Sequence, residues 1–194
     1  SDIKIHDREK MLFTFSTKKK KNTNFIFNIR NKKFEQDIDS EMLTDLDGNI
    51  YENKILQIQA KDGAFFPVKL FFRSGLKLDG NNPTFVEGYG GFNVNSYFHD
   101  SYYSASRATF IQSGGIWVAP ILRGDGDLGS NWGEQAQFEK KQNTFNDMIA
   151  TLEFLIEKKY SNNQKIAIMG NSNGGLLISS VLTQRPDLFK LAIP

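Results

Sequence analysis

The sequence predicts an α/β fold, an open and mostly parallel sheet that starts antiparallel, with flanking helices and a short all-β segment in front. Three observations carry this expectation. In the second part of the chain, short apolar runs alternate with stretches of helical period, the pattern of successive strand–helix units. The run Ile116-Trp117-Val118-Ala119-Pro120-Ile121-Leu122 is apolar almost throughout, as expected of a strand buried on both faces. The apolar run Ile166–Met169 stops at Gly170-Asn171-Ser172-Asn173-Gly174 and resumes as a helix-like run to Leu182. This is G-x-S-x-G between a strand and a helix.

Taken in order, residues 1–50 read as β. Met11–Ser16 and Asn24–Ile29 are strand candidates, with Phe25, Phe27 and Ile29 at period two. The intervening Lys18–Thr23 reads as a solvated hairpin loop rather than a nucleic-acid patch. Phe34–Leu46 is polar and acidic and reads as a connection, and Asp47-Gly48-Asn49 as a turn. Residues 51–194 form the second domain. Ile55–Ala60, a Lys61-Asp62-Gly63 turn and Phe65–Phe72 make an antiparallel hairpin. Thr84–Tyr89 is the next strand, and Ser104–Gln112 a helix ended by Gly114 and Gly115. Pro120 suggests a bulge near the end of its strand, and Arg123–Gly133 is a glycine-rich loop. Asn143–Tyr160 is the most regular helix, with Phe145, Met148, Ile149, Leu152, Leu155 and Ile156 on one face. Ile166–Met169 is a strand and Asn173–Gln184 a helix broken at Arg185-Pro186. Leu191–Pro194 reads as a strand beginning.

Composition narrows the function classes. A net charge of +2 with mixed signs gives no argument for nucleic acid. No apolar run reaches the length of a membrane-spanning helix. The chain has no cysteine, hence no disulfide framework and no thiolate metal site. That composition suits a reducing compartment, and a cytoplasmic location is the expectation. No metal or cofactor is expected; Asp125 and Asp127 read as loop residues or as partners of Arg123.

The chemistry centres on Ser172. A tight turn flanked by glycines lifts its hydroxyl off the strand end. The backbone N–H of Asn173 is then one donor to a developing oxyanion. A serine hydroxyl also needs a base and an orienting acid. Five blocks in order raise the specificity: Gly88-Tyr89-Gly90-Gly91-Phe92-Asn93; Arg123–Gly129 with Trp132; Lys141–Asp147; Asn171–Leu177; and Gln184–Phe189. With these the chain resembles the prolyl oligopeptidase family of serine peptidases, from about residue 53 onward.

That resemblance implies an α/β-hydrolase catalytic domain from 51 to 194. It also implies that residues 1–50 are closing strands of a β-propeller. It implies Ser172 as nucleophile, Tyr89 as an oxyanion-hole hydroxyl beside the Asn173 N–H, and Phe92 as a wall of the pocket for proline. Short proline-containing peptides would be the substrates. The sequence departs from the family pattern at Asn171, Asp125, Asp127 and Asn146. In the family the triad runs Ser, Asp, His, yet the residues after Ser172 contain no histidine. Asp187 reads as a helix-end residue, and His6 and His99 both precede the serine. The expectation is therefore an internal fragment whose triad Asp and His lie beyond residue 194, inactive alone. Its open sheet edge would favour self-association or a complementing fragment. Three other readings stay open: a related peptidase of basic or acyl-amino preference, an esterase, and a non-catalytic α/β-hydrolase-like binding fragment.

Overall fold

The computed structural model describes residues 2–7, 10–17, 20–28, 33–36, 51–95 and 105–194, with side chains at 52, 54–95 and 107–194. The chain divides into two units, Ser1–Asn49 and Ile50–Pro194. The first holds four strands, β1 (Asp2–Asp7), β2 (Lys10–Thr17), β3 (Lys20–Asn28) and β4 (Lys33–Gln36), paired in that order. All three pairings are antiparallel. The hairpin expected around the lysine run is present: Thr17 pairs with Lys20, so Lys20 and Lys21 already belong to β3. The connection expected from Phe34 onward begins instead as a strand, with Phe34 opposite Phe27. Four residues carry too little alternation to be read from sequence, and only the free edge of β3 reveals the pairing. Ile29 and the Asp47–Asn49 turn lie outside the described residues.

The second unit contains a six-stranded sheet. Its strands are β5 (Tyr51–Gln59), β6 (Phe65–Arg73), β7 (Thr84–Glu87), β8 (Ile116–Pro120), β9 (Ile166–Met169) and β10 (Leu191–Ile193). The spatial order is β10-β9-β7-β8-β6-β5. β6 runs antiparallel to both β5 and β8, while β7, β8, β9 and β10 are mutually parallel. The antiparallel start and parallel continuation match the expectation. Chain order and spatial order differ at β7 and β8, because the crossover through α1 (Ala105–Gln112) places β8 between β6 and β7.

Three departures from the sequence reading are local. Pro120 makes no bulge. It is the last residue of β8, pairing with Val68 two residues past Val118, where the β7 pairing stops, so no β7 partner needs its missing N–H. Strand β7 ends at Glu87, two residues early, and Gly88 keeps a single sheet bond to the Met169 carbonyl. The glycine-rich loop contains a short helix, α2 (Ser130–Glu134), followed by a single 3-10 turn at Phe138–Lys140. The strand expected to begin at Leu191 is β10, which pairs with β9, Leu191 opposite Ala167 and Ile193 opposite Met169.

The sheet buries one face against α3 (Gln142–Glu157) and α4 (Asn173–Gln184). Period two along the strands sends Phe66, Val68, Leu70, Phe72, Val86, Val118 and Ile168 to that side. They meet Phe145, Met148, Ile149, Leu152 and Leu155 of α3 and Leu177, Ile178 and Val181 of α4. On the opposite face Phe71, Ile111 and Trp117 form a smaller cluster with Phe85 and Phe110. Phe85 stacks on Trp117 at 4.7 Å and Phe110 meets both rings edge-on. The Arg107 guanidinium lies 4.5 Å over Trp117 and pairs with Glu87. Among the described residues no helix is long and apolar enough to cross a membrane.

Candidate active site

The site forms where β7 and β9 end side by side. The N–H of Gly88 donates to the Met169 carbonyl at 3.1 Å, and that of Gly170 donates to the Ile193 carbonyl at 3.1 Å. These bonds extend the sheet one residue past each strand. The chain then reverses at Ser172, which has φ 53° and ψ −117°. A positive φ on a residue with a Cβ is strained, and Ser172 is exposed at this apex. Helix α4 starts immediately, Gly175 N–H donating to the Ser172 carbonyl at 2.9 Å. The Asn173 N–H is one of the first-turn amides without an intrahelical acceptor, at the positive end of the helix dipole.

The two flanking glycines are required by crowding. A Cβ on Gly174 would sit 2.5 Å from the Gly88 carbonyl oxygen, and one on Gly170 would sit 2.6 Å from the Gly174 carbonyl oxygen. The G-x-S-x-G spacing is thus a packing condition: both glycines let the turn press against the end of β7.

A second loop, Tyr89–Asn95, meets this turn. Asn173 Nδ2 donates to the Tyr89 carbonyl at 2.6 Å, so the residue after Ser172 is tied to the backbone of Tyr89. The Tyr89 side chain is half-buried. Phe92 and Asn93 both have φ 55°, and the Phe92 ring is 79% exposed. The structure therefore brings together Ser172, Asn173 and the backbone of Tyr89, and presents Phe92 on the surface of the same loop. His99 lies outside the described residues, as does the side chain of His6. Asp187 is exposed in a single 3-10 turn and accepts from Arg185 Nε and Nη2. Arg185 holds its carboxyl below the ordinary value.

Beneath this surface lies a charged core that sequence reading did not assemble. Arg123 is 2% exposed. Its Nε donates to both Asp147 oxygens at 3.1 and 3.0 Å, its Nη2 to Oδ1 at 2.6 Å, and its backbone N–H to Oδ2 at 2.9 Å. The same guanidinium reaches Asp62 in the β5–β6 turn. Burial pushes the Asp147 carboxyl up, against the pull of Arg123. The Arg123 bond holds that of Asp62 down. Asp125, expected as a loop residue or a partner of Arg123, lies in the loop after β8 and gives its buried carboxylate to backbone. Oδ1 accepts the Gly90 N–H at 2.8 Å and Oδ2 the Leu122 N–H at 2.9 Å. Lys141 Nζ donates to the Gly90 carbonyl at 2.6 Å, and burial pushes that ammonium below its ordinary pKa. The only signal in sequence was an acidic residue inside a glycine run. Among the described residues no group of three or more His, Cys, Asp or Glu is placed to hold a metal ion.

Because Ser172 is strained, Ser172→Gly is expected to stabilise the fold by about 1 kcal/mol. The relieved strain outweighs the entropy of an added glycine. Urea denaturation of the two proteins measures this, and a loss of stability would contradict the strain.

A sharp turn carrying a serine, set between β9 and α4 in a sheet of this order, defines the α/β-hydrolase fold. Comparison with known proteins narrows the class. Residues 101–194 match the sequence profile of the prolyl oligopeptidase family. The prolyl endopeptidase of Elizabethkingia meningoseptica is 39% identical over 135 residues, covering 70% of this chain and 19% of that protein. A solved prolyl endopeptidase structure superposes with a TM-score of 0.84 at 32% identity, covering 99% of this chain and 28% of that one. Prolyl oligopeptidase B from Galerina marginata, bound to a 25mer macrocyclization substrate, gives 0.82 at 30% identity, covering 96% and 26%. The chain belongs to the prolyl oligopeptidase family of peptidases, and spans about a fifth of the length of the curated relative above.

Proposed function

We propose that this chain carries the nucleophile and oxyanion hole of a serine oligopeptidase that cleaves short peptides after proline. In this reading Ser172 Oγ attacks the scissile carbonyl and forms an acyl-enzyme. The Asn173 N–H and the Tyr89 hydroxyl receive the oxyanion, and Phe92 offers an aromatic wall to the flat proline ring. The acid and base of the triad come from sequence outside these 194 residues. The four strands of the first unit are part of a β-propeller, and the protein acts in the cytoplasm. The observation that carries the reading is the strained, exposed Ser172 at the start of α4, with Asn173 bonded to Tyr89.

The partner side of the reading rests on β10. It is three residues long, lies at the sheet margin and leaves Leu191 and Ile193 exposed. An edge of this kind is completed by a second copy or a complementing segment.

The purified 194-residue chain is expected to show no Ser172-dependent cleavage of a Gly-Pro reporter peptide. A polypeptide extended through a following Asp and His is expected to cleave it. Ser172→Ala in that polypeptide should lower kcat by on the order of 10⁴ or more. Efficient cleavage by the chain alone would overturn the missing base, and cleavage after Lys or Arg in place of Pro would overturn the proline preference. Sedimentation of the same preparation tests the edge: a monodisperse monomer sinks the self-association.

A further inference from the structure

The Tyr89–Gly90 peptide is held at both ends by side chains from different elements. Its carbonyl accepts from Asn173 Nδ2 at 2.6 Å, and its N–H donates to Asp125 Oδ1 at 2.8 Å. The next peptide is held as well, its Gly90 carbonyl accepting from Lys141 Nζ at 2.6 Å and from Thr144 Oγ1 at 3.4 Å. Asp125 is completely buried and spends its other oxygen on the Leu122 N–H. Leu122 in turn accepts from Trp132 Nε1 at 2.9 Å, which anchors it to α2. A buried carboxylate is costly unless fully hydrogen-bonded and compensated. Here backbone amides bond it, and Lys141, which feels its charge, bonds the adjoining carbonyl.

We propose that Asp125 is a positioning residue: with Lys141 it clamps the Gly90 peptides, and so sets where the loop carrying Tyr89 and Phe92 stands relative to Ser172. The proposal deepens the function proposed above and rests on it for the roles of Tyr89 and Phe92. The chain of bonds is short and rigid. Ser172 is followed by Asn173, Asn173 grips the Tyr89 carbonyl, and Asp125 grips the same peptide from the other side. Removing the carboxylate leaves two buried N–H groups without an acceptor, one of them in that peptide. The loop then shifts to find water or another partner, and an oxyanion donor displaced by even 1 Å loses much of its effect. Asp125→Asn keeps one acceptor oxygen for the Gly90 N–H and removes the charge opposite Lys141. It is the conservative variant that separates hydrogen bonding from charge.

The test reads the loop directly in the 194-residue chain and needs no turnover. Tyrosines are replaced biosynthetically by 3-fluorotyrosine, and the Tyr89 signal is assigned by its disappearance in Tyr89→Phe. Gly90 amide exchange is followed in ¹⁵N-labelled protein. In the wild type, Tyr89 is expected to give one narrow ¹⁹F line. Asp125→Ala should split or broaden that line and speed Gly90 exchange at least roughly tenfold relative to helix α3 amides. Asp125→Asn should restore most of the protection. Lys141→Met, which removes the partner charge without orphaning a buried amide, should also perturb the Tyr89 line; it serves as the second variant if Asp125→Ala does not fold. A purely structural role would lower protection throughout the unit and leave the Tyr89 line of the folded fraction unchanged; that result overturns the proposal. So does an unchanged line and unchanged Gly90 exchange in a folded Asp125→Ala or Lys141→Met protein. Loss of Ser172-dependent cleavage is a separate measurement, so failure of the catalytic reading is distinguishable from failure of the clamp.

Discussion

Replacing Arg123 with alanine is expected to destabilise the second unit by about 3–5 kcal/mol, the loss typical of breaking a buried ion pair from one side. The reason is what remains behind. Asp147 is fully buried on α3, and of the four hydrogen bonds it accepts from Arg123, three come from the side chain. Without the guanidinium its carboxylate keeps only the backbone N–H of residue 123. It must then either stay charged in an apolar surrounding or take up a proton. The effect reaches further, since the same guanidinium ties the β5–β6 turn through Asp62 to the loop that follows β8. Arg123→Lys should recover only part of the loss, because an ammonium cannot span both carboxylates with a planar fork. Pairing Arg123→Met with Asp147→Leu should recover more than either change alone, since no unpaired charge is then buried. Chemical denaturation of the wild type and these variants decides it. A loss below about 1 kcal/mol for Arg123→Ala would show that solvent reaches Asp147 and that the pair is not buried in solution.

Two neighbouring glycines of α4 should respond to alanine with opposite signs. Helix propensity alone favours alanine at both by up to about 1 kcal/mol. At Gly175 nothing opposes it: an added Cβ would find its nearest neighbour, a Pro194 backbone atom, at 3.5 Å, an ordinary contact. Gly175→Ala is therefore expected to stabilise by about 0.5–1 kcal/mol. At Gly174 the Cβ would meet the Gly88 carbonyl oxygen at 2.5 Å. That atom is backbone at the end of β7 and cannot rotate away, so α4 must move off the sheet. Overpacking of this kind costs about 1–3 kcal/mol or more and exceeds the propensity gain. Gly174→Ala should also carry Asn173 away from the Tyr89 carbonyl, so any Ser172 chemistry falls with it. Thermal and urea unfolding of both variants measure the signs. Equal effects at the two positions would mean that the turn is looser than the close approach implies.

The α/β class, the strand–turn–helix around Ser172 and the candidate residues Tyr89, Phe92 and Asn173 were legible because each is a local pattern. Period-two and period-3.6 apolar spacing report burial within one element, and Gly170 and Gly174 report a tight turn. Strand β4 and helix α2 were missed because short segments carry little periodicity, and β4 exists only by pairing with β3. Asp125 was visible as an acid in a glycine run, but its partners lie at Gly90 and Leu122, and nothing in one chain's order names them. Arg123 and Asp147 stand in two separately noticed blocks, and their pairing needs the loop after β8 to fold onto α3.

By itself the sequence determined the longer elements, where the serine turn lies and which family the chain resembles. Those follow from neighbours in the chain, where backbone geometry and side-chain period act over a few residues. Only the tertiary structure decided that β8 lies between β6 and β7, that Ser172 sits strained against the end of β7, and that Asn173, Asp125 and Lys141 close on the loop of Tyr89. Those depend on contacts between residues far apart in sequence, set when apolar faces are buried together and buried polar groups must find partners across the sheet.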